Sequence, residues 1–226
     1  MSSLSIRTFA ARAALDAALA ERLLRALAAP GAGAVMLSGG TTPLSAYRTL
    51  ASQPLHHDDR LHVLFSDERY VAADSPASNF AQARPLLNVL ALPPESLLRV
   101  RTELPLEEAA ADYDRALATL LSSGLHIGLG LLGLGADGHT ASLFSAADLE
   151  RARGRYALPV QRPDGMAAVS VTPDLLATVR EPVFVVAGSG KAAALRALMA
   201  QERTLTAWRA VERCPAVELW VEQAAL

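Results

Sequence analysis

Asp137 and His139 are the residues whose types and spacing best suit catalysis. They stand two residues apart, across Gly138, in the segment 135–142, which directly follows an apolar run. A loop histidine can titrate near neutrality and move protons, and the nearby carboxylate is placed to orient it or to stabilise its charge. The alternative is a turn in which Asp137 caps the backbone and His139 is merely polar. A position after a strand favours the catalytic interpretation, because open parallel sheets bind ligands beyond the carboxyl ends of their strands.

A candidate phosphate site lies in the segment 38–43, whose sequence is Ser-Gly-Gly-Thr-Thr-Pro. Gly39 and Gly40 allow a ligand to approach the backbone closely, and the start of the following helix offers free N–H groups and a positive dipole end. The hydroxyls of Thr41 and Thr42 add donors, so the segment suits a phosphate. An ordinary capped turn, with Thr42 as the N-cap and the proline as the first helical residue, explains the same residues equally well.

The segment 188–191, Gly-Ser-Gly-Lys, also ends a predicted strand and opens a predicted helix. It is not a nucleotide-binding P-loop, because Val185 stands at the first glycine position and Ala192 at the Ser/Thr position. Lys191 is the only lysine among 21 basic residues, and its compact charge would suit a single phosphate. Without the companion motifs, a surface lysine near a helix N-terminus would be the better interpretation of this segment.

The segment 66–69, Ser-Asp-Glu-Arg, follows another buried strand and holds three adjacent ionisable residues. Arg69 could hold an anion there, and Asp67 or Glu68 could bind sugar hydroxyls. A solvated loop with local ion pairs is the alternative.

Other motifs are rejected. Gly128, Gly130 and Gly133 match a dinucleotide fingerprint, but no helix is predicted to begin among them. The run 56–59, His-His-Asp-Asp, points its side chains in different directions, and no ligand spacing typical of a metal site occurs. The nucleophile elbow of serine hydrolases is also missing from the sequence.

Composition narrows the class of protein. The chain has 226 residues, is 51% hydrophobic and carries a formal charge of −2, so we expect a folded protein that does not bind nucleic acid. One cysteine excludes an internal disulfide and favours a reducing compartment. No apolar run reaches the roughly 18 residues that span a bilayer, and no signal peptide is recognisable. We therefore predict a cytoplasmic protein that does not contact membranes.

The elements that must position these loops alternate between strand and helix. We predict strands at residues 4–9, 34–37, 61–65, 125–134, 167–171, 183–187 and 217–221, and helices at 11–29, 44–50, 105–123 and from about 191 to 200. Residues 151–165 form the least regular stretch and are expected to be a surface excursion. Short strands that are apolar on both faces predict an α/β fold: an open, mostly parallel, twisted sheet with helices on both faces, Rossmann-like, in a single domain over 1–226.

Four loops that follow strands of one sheet thus carry two phosphate candidates, an acidic and arginine-containing segment, and an Asp–His pair. This combination suits a small phosphorylated sugar and chemistry based on proton transfer. Isomerisation, deamination and lactone hydrolysis all remain open at this point.

The motifs in this order resemble the 6-phosphogluconolactonase family, within the superfamily that includes glucosamine-6-phosphate deaminase and ribose-5-phosphate isomerase. The similarity covers nearly the whole chain through the segments 38–43, 66–71 with 75–80, 133–142, 188–192 and 219–221. Within the superfamily, Arg69 and the run 142–145, Ser-Leu-Phe-Ser, resemble lactonases, since deaminases usually carry tyrosine after the Asp-Glu pair and Phe-Asn-Glu-Pro after the histidine loop.

The resemblance implies the fold of a sugar-phosphate isomerase or lactonase, and an activity: hydrolysis of 6-phospho-D-glucono-1,5-lactone without metal or organic cofactor, by a monomer or small homo-oligomer. It implies that His139 is the general base, that Asp137 positions it, and that Arg69 binds phosphate or stabilises the oxyanion. Asp67 and Asn79 would support the sugar side of the site. The residues implied for phosphate binding are Gly39, Gly40, Thr41, Thr42 and Lys191.

One departure from the family pattern concerns Ala168, which stands where many lactonases have arginine. If that arginine normally contacts phosphate, we expect either weaker binding here or help from another residue, Arg162 or Arg155. Two other functions stay open beside the lactonase: a glucosamine-6-phosphate deaminase or isomerase, and a non-catalytic sugar-phosphate sensor, although no segment is left over for the DNA-binding module that usually accompanies such sensors.

Overall fold

The computed structural model describes residues 3–31 and 33–226. Its strands are β1 (Ser3–Phe9), β2 (Gly33–Leu37), β3 (Leu61–Phe65), β4 (Asp67–Arg69), β5 (Leu97–Leu98), β6 (Ile127–Leu132), β7 (Ala157–Gln161), β8 (Ala167–Val171), β9 (Val179–Val186) and β10 (Ala216–Glu222). Its α-helices are α1 (Arg12–Leu27), α2 (Thr41–Ala51), α3 (Asn79–Leu90), α4 (Leu106–Ser122), α5 (Ala146–Arg151), α6 (Pro173–Leu176), α7 (Ala192–Met199) and α8 (Thr206–Val211).

Seven strands form the central sheet in the order β1-β10-β9-β6-β2-β3-β5, and every neighbouring pair is parallel. The sheet is covered on both faces because alternate residues of a strand point to opposite sides. Val35 and Leu37 of β2 pack with α1, α2 and α3, whereas Ala34 and Met36 pack with α4, α7 and α8. The predicted parallel α/β architecture is confirmed.

A second sheet lies beside the first and was not predicted. It has the order β4-β8-β7, and both pairings are antiparallel. The strand at 167–171 is confirmed, but it belongs to this sheet. The predicted surface excursion at 151–165 is wrong, since Ala157–Gln161 is a strand with its first four residues buried. Pro159 obscured it; an edge strand such as β7 tolerates proline because its outer N–H groups need no partner in the sheet.

Two helices also differ from the predictions. Helix α2 begins at Thr41 with Gly40 as the N-cap, so Thr42 is not the cap and Pro43 is the third helical residue. Proline is tolerated there because N–H groups of the first turn have no intrahelical partner. Helix α3 was not predicted. It contains Pro85, a residue that argues against a helix, and its N-terminus is stabilised by Glu68, which lies outside the helix.

The strand order defines where a ligand should bind. The chain leaves β2 toward β3 on one side and leaves β6 toward β9 on the other, although β2 and β6 are neighbours. The loops after such strands diverge and leave a crevice at the carboxyl edge of the sheet. No helix within the described residues is long and apolar enough to cross a membrane.

Candidate active site

A cleft of about 240 Å3 opens at this crevice. It is built by the loops that follow β2, β3, β6 and β9, four strands that are adjacent in the sheet, together with the turn between β7 and β8. The lining residues are Ser38, Gly39, Gly40, Ser66, Asp67, Arg69, Asn79, Gly133, Leu134, Gly135, His139, Ala141, Arg162 and Lys191. All four segments predicted to carry chemistry therefore meet in one place.

His139 and Asp137 form a close pair after β6. The Nδ1 atom of His139 lies 2.5 Å from Oδ1 of Asp137, and the backbone N–H of His139 donates to the same oxygen at 3.3 Å. Gly135 makes room for the pair, because a Cβ at that position would lie 2.1 Å from the His139 Nδ1 atom. Gly138 provides the turn between them with a φ of 83°.

The pairing leaves one nitrogen of the imidazole for chemistry. Partial burial alone would raise the pKa of Asp137, but the hydrogen bond and the charge of His139 outweigh it, so the pKa of this carboxyl lies below its ordinary value. An ionised Asp137 accepts the Nδ1 proton and fixes the tautomer whose Nε2 atom carries a lone pair. The arrangement suits a general base; Asp137 touches His139 but does not itself line the cleft.

The loop after β2 presents backbone groups to the cleft. Gly39 and Gly40 line it, and α2 starts at Gly40 without any side-chain cap. Tyr47 holds the loop in place: its hydroxyl donates to the carbonyl oxygen of Ser38 at 2.8 Å and accepts from the Ser38 N–H at 3.2 Å. The N-terminal end of α2 and its dipole thus lie at the cleft edge, where an anion is favoured; the Gly40 N–H itself donates to Gln82 Oε1 at 3.4 Å.

The side chains of the two threonines in the same motif stay out of the cleft. Thr41 is exposed at the first helical position, and Thr42 is buried with 7% of its surface accessible. Neither side chain lines the cleft. Their carbonyl oxygens accept hydrogen bonds from Arg12, at 3.1 and 3.3 Å, which places a further cation beside the start of α2.

Lys191 enters the cleft from the loop after β9, at the end of a short 3-10 turn, Ser189–Lys191. Burial and, secondly, the nearby charge of Arg12 hold the pKa of Lys191 below its ordinary value. A bound anion would relieve both effects, so the site favours a phosphate energetically.

Arg69, at the end of β4, and Asn79, the first residue of α3, also line the cleft. The guanidinium of Arg69 donates to the carbonyl oxygen of Ala77 at 2.7 Å. No carboxylate in the described part of the chain lies within ion-pair distance of Arg69 or Lys191. The Asn79 side chain donates to the carbonyl oxygen of Asp67 at 2.9 Å, while its buried Oδ1 atom has no hydrogen-bond partner.

Asp67 ties the β3 and β6 loops together. Its two carboxylate oxygens accept hydrogen bonds from the hydroxyls of Ser66 and Ser142, both at 2.8 Å. Ser142 belongs to the histidine loop, so Asp67 fixes the position of that loop relative to the rest of the cleft.

Glu68, by contrast, faces away from the cleft and stabilises α3. Its carboxylate accepts four hydrogen bonds, from the backbone N–H groups of Arg69, Asn79 and Phe80 and from the Ser78 hydroxyl. Burial raises the pKa of Glu68 although these donors act in the opposite direction. The residue is structural, and it orients Asn79 toward the cleft.

We expect Glu68→Ala to lower the free energy of unfolding by about 3 kcal/mol, because it leaves several buried donors without an acceptor. Urea unfolding measures the change. Glu107→Ala is the matched control, since Glu107 is an exposed acidic residue in the first turn of α4, and it should change stability by less than about 0.5 kcal/mol. Equal losses in the two variants would contradict the role assigned to Glu68.

Sequence reasoning missed the residues that act over long separations. Tyr47 and Arg12 position the site, and so does Tyr113, whose hydroxyl bonds to both backbone groups of Phe65 at the end of β3. Glu68 was predicted as a ligand of sugar hydroxyls, but its carboxylate binds the start of α3 instead. Of the two arginines expected to compensate for Ala168, Arg162 lines the cleft and Arg155 is exposed outside it.

The structure has an open parallel sheet, with a cationic cleft and a histidine–aspartate pair at the carboxyl edge of that sheet. This architecture is typical of α/β proteins that bind a small anionic ligand. The family model of glucosamine-6-phosphate isomerases and 6-phosphogluconolactonases matches residues 8–219. The chain belongs to this family, which confirms the resemblance inferred from its motifs.

Relatives of known name support the same grouping. A 6-phosphogluconolactonase from Synechocystis sp. is 37% identical over 187 residues, covering 80% of this chain and 77% of the relative. One from Pseudomonas putida is 38% identical over 201 residues, covering 86% and 80%. The solved structure of 6-phosphogluconolactonase from Thermotoga maritima superposes with a TM-score of 0.79 at 26% identity, covering 99% of this chain and 100% of that one.

Proposed function

We propose that this protein hydrolyses 6-phospho-D-glucono-1,5-lactone to 6-phospho-D-gluconate, the second step of the oxidative pentose phosphate pathway. One observation carries the proposal: a single cleft holds a histidine oriented by a carboxylate and two cations, Arg69 and Lys191, that lack carboxylate partners within the described residues. The named relatives and the family support the same reaction.

His139 acts first as a general base. Its Nε2 atom takes a proton from water while the water oxygen attacks the carbonyl carbon C1 of the lactone. The C=O double bond opens, and its electron pair becomes an oxyanion on a tetrahedral carbon. Asp137 holds the resulting imidazolium through its hydrogen bond to Nδ1.

The second step reverses the proton transfer. The oxyanion re-forms the carbonyl, the bond between C1 and the ring oxygen breaks, and the ring oxygen takes the proton from His139 Nε2. The product is the open-chain acid, and the imidazole returns to its starting state. No residue forms a covalent bond to the substrate, and we propose that no metal or organic cofactor takes part.

The remaining cleft residues bind the substrate. We assign the 6-phosphate to the backbone of Gly39 and Gly40, the first turn of α2 that Thr41 and Thr42 begin, and Lys191. Asp67 and Asn79 support the sugar and the loops around it, and Arg69 provides a positive charge for the phosphate or the oxyanion. We further propose that the chain is a single domain that acts in the cytoplasm as a monomer or small homo-oligomer, without nucleic acid.

The experiment that tests the function compares two substrates at equal enzyme concentration. Freshly prepared 6-phosphogluconolactone should be converted to acid faster than it hydrolyses spontaneously. Glucosamine 6-phosphate should release no ammonia. Ammonia release without acceleration of lactone hydrolysis would replace the lactonase by a deaminase, and binding of sugar phosphates without turnover of either would indicate a sensor.

Lys191→Ala should raise KM about tenfold with little change in kcat, because a charged hydrogen bond to the phosphate is lost in the ground state and the transition state alike. A fall in kcat at constant KM would contradict the phosphate assignment. Steady-state kinetics of lactone hydrolysis separates the two results.

The pH dependence of binding follows from the same residue. Since the pKa of Lys191 is lowered, its charge is lost at a lower pH than in an exposed lysine, and affinity should fall as the pH rises through that value. Glucitol 6-phosphate is a stable probe, because its phosphate stays dianionic above about pH 7. Calorimetry should show this alkaline loss of affinity in the wild type and not in Lys191→Arg, whose side chain stays charged.

A further inference from the structure

Arg162 is a cationic residue of the cleft that the proposed mechanism does not use. It begins the turn between β7 and β8, where its N–H donates to the Met166 carbonyl oxygen and its own carbonyl oxygen accepts from the Gly165 N–H. The side chain turns into the cleft and keeps only 17% of its surface accessible. A charged side chain this far buried is held there by specific contacts.

Two contacts fix its guanidinium. Nε and Nη2 donate to the carboxylate of Asp164 at 2.9 to 3.2 Å, and the guanidinium carbon lies 5.3 Å from the centroid of the Phe144 ring. The Nη1 atom has no hydrogen-bond partner within the described residues. Arg162 is therefore preorganised: Asp164 balances its charge and fixes one edge of the guanidinium, and the N–H groups of Nη1 remain free to donate.

The position along the cleft follows from Phe144. The same ring packs against the imidazole of His139, with 4.3 Å between the ring centroids. Arg162 and His139 thus share one aromatic neighbour. Lys191 instead lies near Arg12, the first residue of α1, whose guanidinium donates to the Thr41 and Thr42 carbonyl oxygens at the start of α2. Arg162 lies at the end of the cleft where His139 acts, and Lys191 lies at the phosphate end.

We propose that Arg162 is a further catalytic residue, which stabilises the negative charge that develops on the lactone carbonyl oxygen when water attacks C1. The inference rests on the proposed function. Its donors are aimed and charged before the reaction starts, so little reorganisation opposes them in the transition state. The charge also favours the carboxylate of the product at the same place.

Asp164 is a positioning residue in this arrangement. Its hydrogen bonds to Arg162 lower the pKa of its carboxyl, so Asp164 stays ionised and remains bonded to one edge of the guanidinium. It does not line the cleft. Its loss should therefore weaken catalysis less than the loss of Arg162 does.

The test combines lactone kinetics with binding of glucitol 6-phosphate, which carries the phosphate but no carbonyl group. Arg162→Met removes the guanidinium and keeps much of the apolar stem. It should lower kcat at least about tenfold and leave the Kd of glucitol 6-phosphate within about twofold. Arg162→Lys, which keeps a charge, should recover part of kcat, and Asp164→Asn should fall between Arg162→Met and the wild type.

Arg155→Met is the matched control, because Arg155 is exposed outside the cleft and should be replaceable at no cost in kcat. Lys191→Ala is the opposite control and should weaken binding of the probe. If Arg162→Met also weakens it, Arg162 belongs to the phosphate end and the inference is wrong.

Full kcat in both Arg162→Met and Arg162→Lys, beside an active wild type, would overturn the inference and leave the proposed function standing. A wild type that accelerates no lactone hydrolysis would overturn the proposed function and this inference with it. Thermal unfolding of each variant separates these results from misfolding.

Discussion

His139→Asn should lower kcat for lactone hydrolysis by about 10²- to 10⁴-fold, the range that general acid–base catalysis supplies. Asparagine can still accept or donate a hydrogen bond near Asp137, but it cannot take a proton from water and return it to the ring oxygen. The hydrogen bond from the Gly135 N–H to the backbone carbonyl of residue 139 does not depend on the side chain, so the loop should keep its shape.

Binding provides the control for this variant. Glucitol 6-phosphate should bind to His139→Asn with nearly the wild-type Kd, because the segments proposed to bind phosphate follow β2 and β9 and do not include the histidine loop. A variant that keeps most of its kcat would remove His139 from the role of base.

Gly39→Ala should lower kcat/KM at least about 100-fold, since the new methyl group must displace either Asn79 or the loop proposed to bind phosphate. A Cβ at position 39 would lie 1.9 Å from the Oδ1 atom of Asn79. Asn79 is 3% exposed and its amide donates to Asp67, so it cannot rotate away without breaking that bond. Either the loop retreats from the ligand or the asparagine is displaced, and both changes damage the cleft.

Gly190→Ala is the matched control, because nothing lies within 4 Å of a Cβ at that position in the other loop proposed to bind phosphate. Its kinetics should stay close to those of the wild type. The free energy of unfolding should fall by about 1–3 kcal/mol in Gly39→Ala and hardly at all in Gly190→Ala. Similar behaviour of the two variants in kinetics and urea unfolding would contradict the close packing of Gly39.

The pair can also be tested by a double mutant. Asn79→Ala removes the amide that collides with the new methyl group, so the stability lost in Gly39→Ala should be smaller in the Asn79→Ala background. Additive losses would show that the two side chains do not compete for the same space.

The parallel sheet could be predicted because its strands are short, apolar on both faces and separated by helices with clear periodicity. β3 and β8 have the predicted bounds, and β1 begins one residue earlier than predicted. The second sheet could not be predicted, since β4 is only three residues long and β7 carries Pro159. β7 and β8 are joined by the short turn 162–166, but β4 lies far earlier in the chain, and its pairing with β8 is a tertiary contact.

The loops of the site could be located for a related reason. Carboxyl ends of parallel strands meet at one edge, so polar residues that follow such strands converge whatever their distance in sequence. The hydrogen bonds that shape these loops, by contrast, could not be predicted. Tyr47 bonds to Ser38 from α2, and Tyr113 bonds to Phe65 from α4, 48 residues away. A buried tyrosine in an amphipathic helix looks like any other core residue until its hydroxyl partner is known.

The most direct test of the central claim is the rate of 6-phosphogluconolactone hydrolysis by the purified protein, measured above the spontaneous rate in the presence of EDTA with His139→Asn alongside. We predict acceleration that survives EDTA and is lost in the variant. No acceleration by the wild type, or acceleration that persists without His139, would contradict a lactonase that uses this histidine as its base.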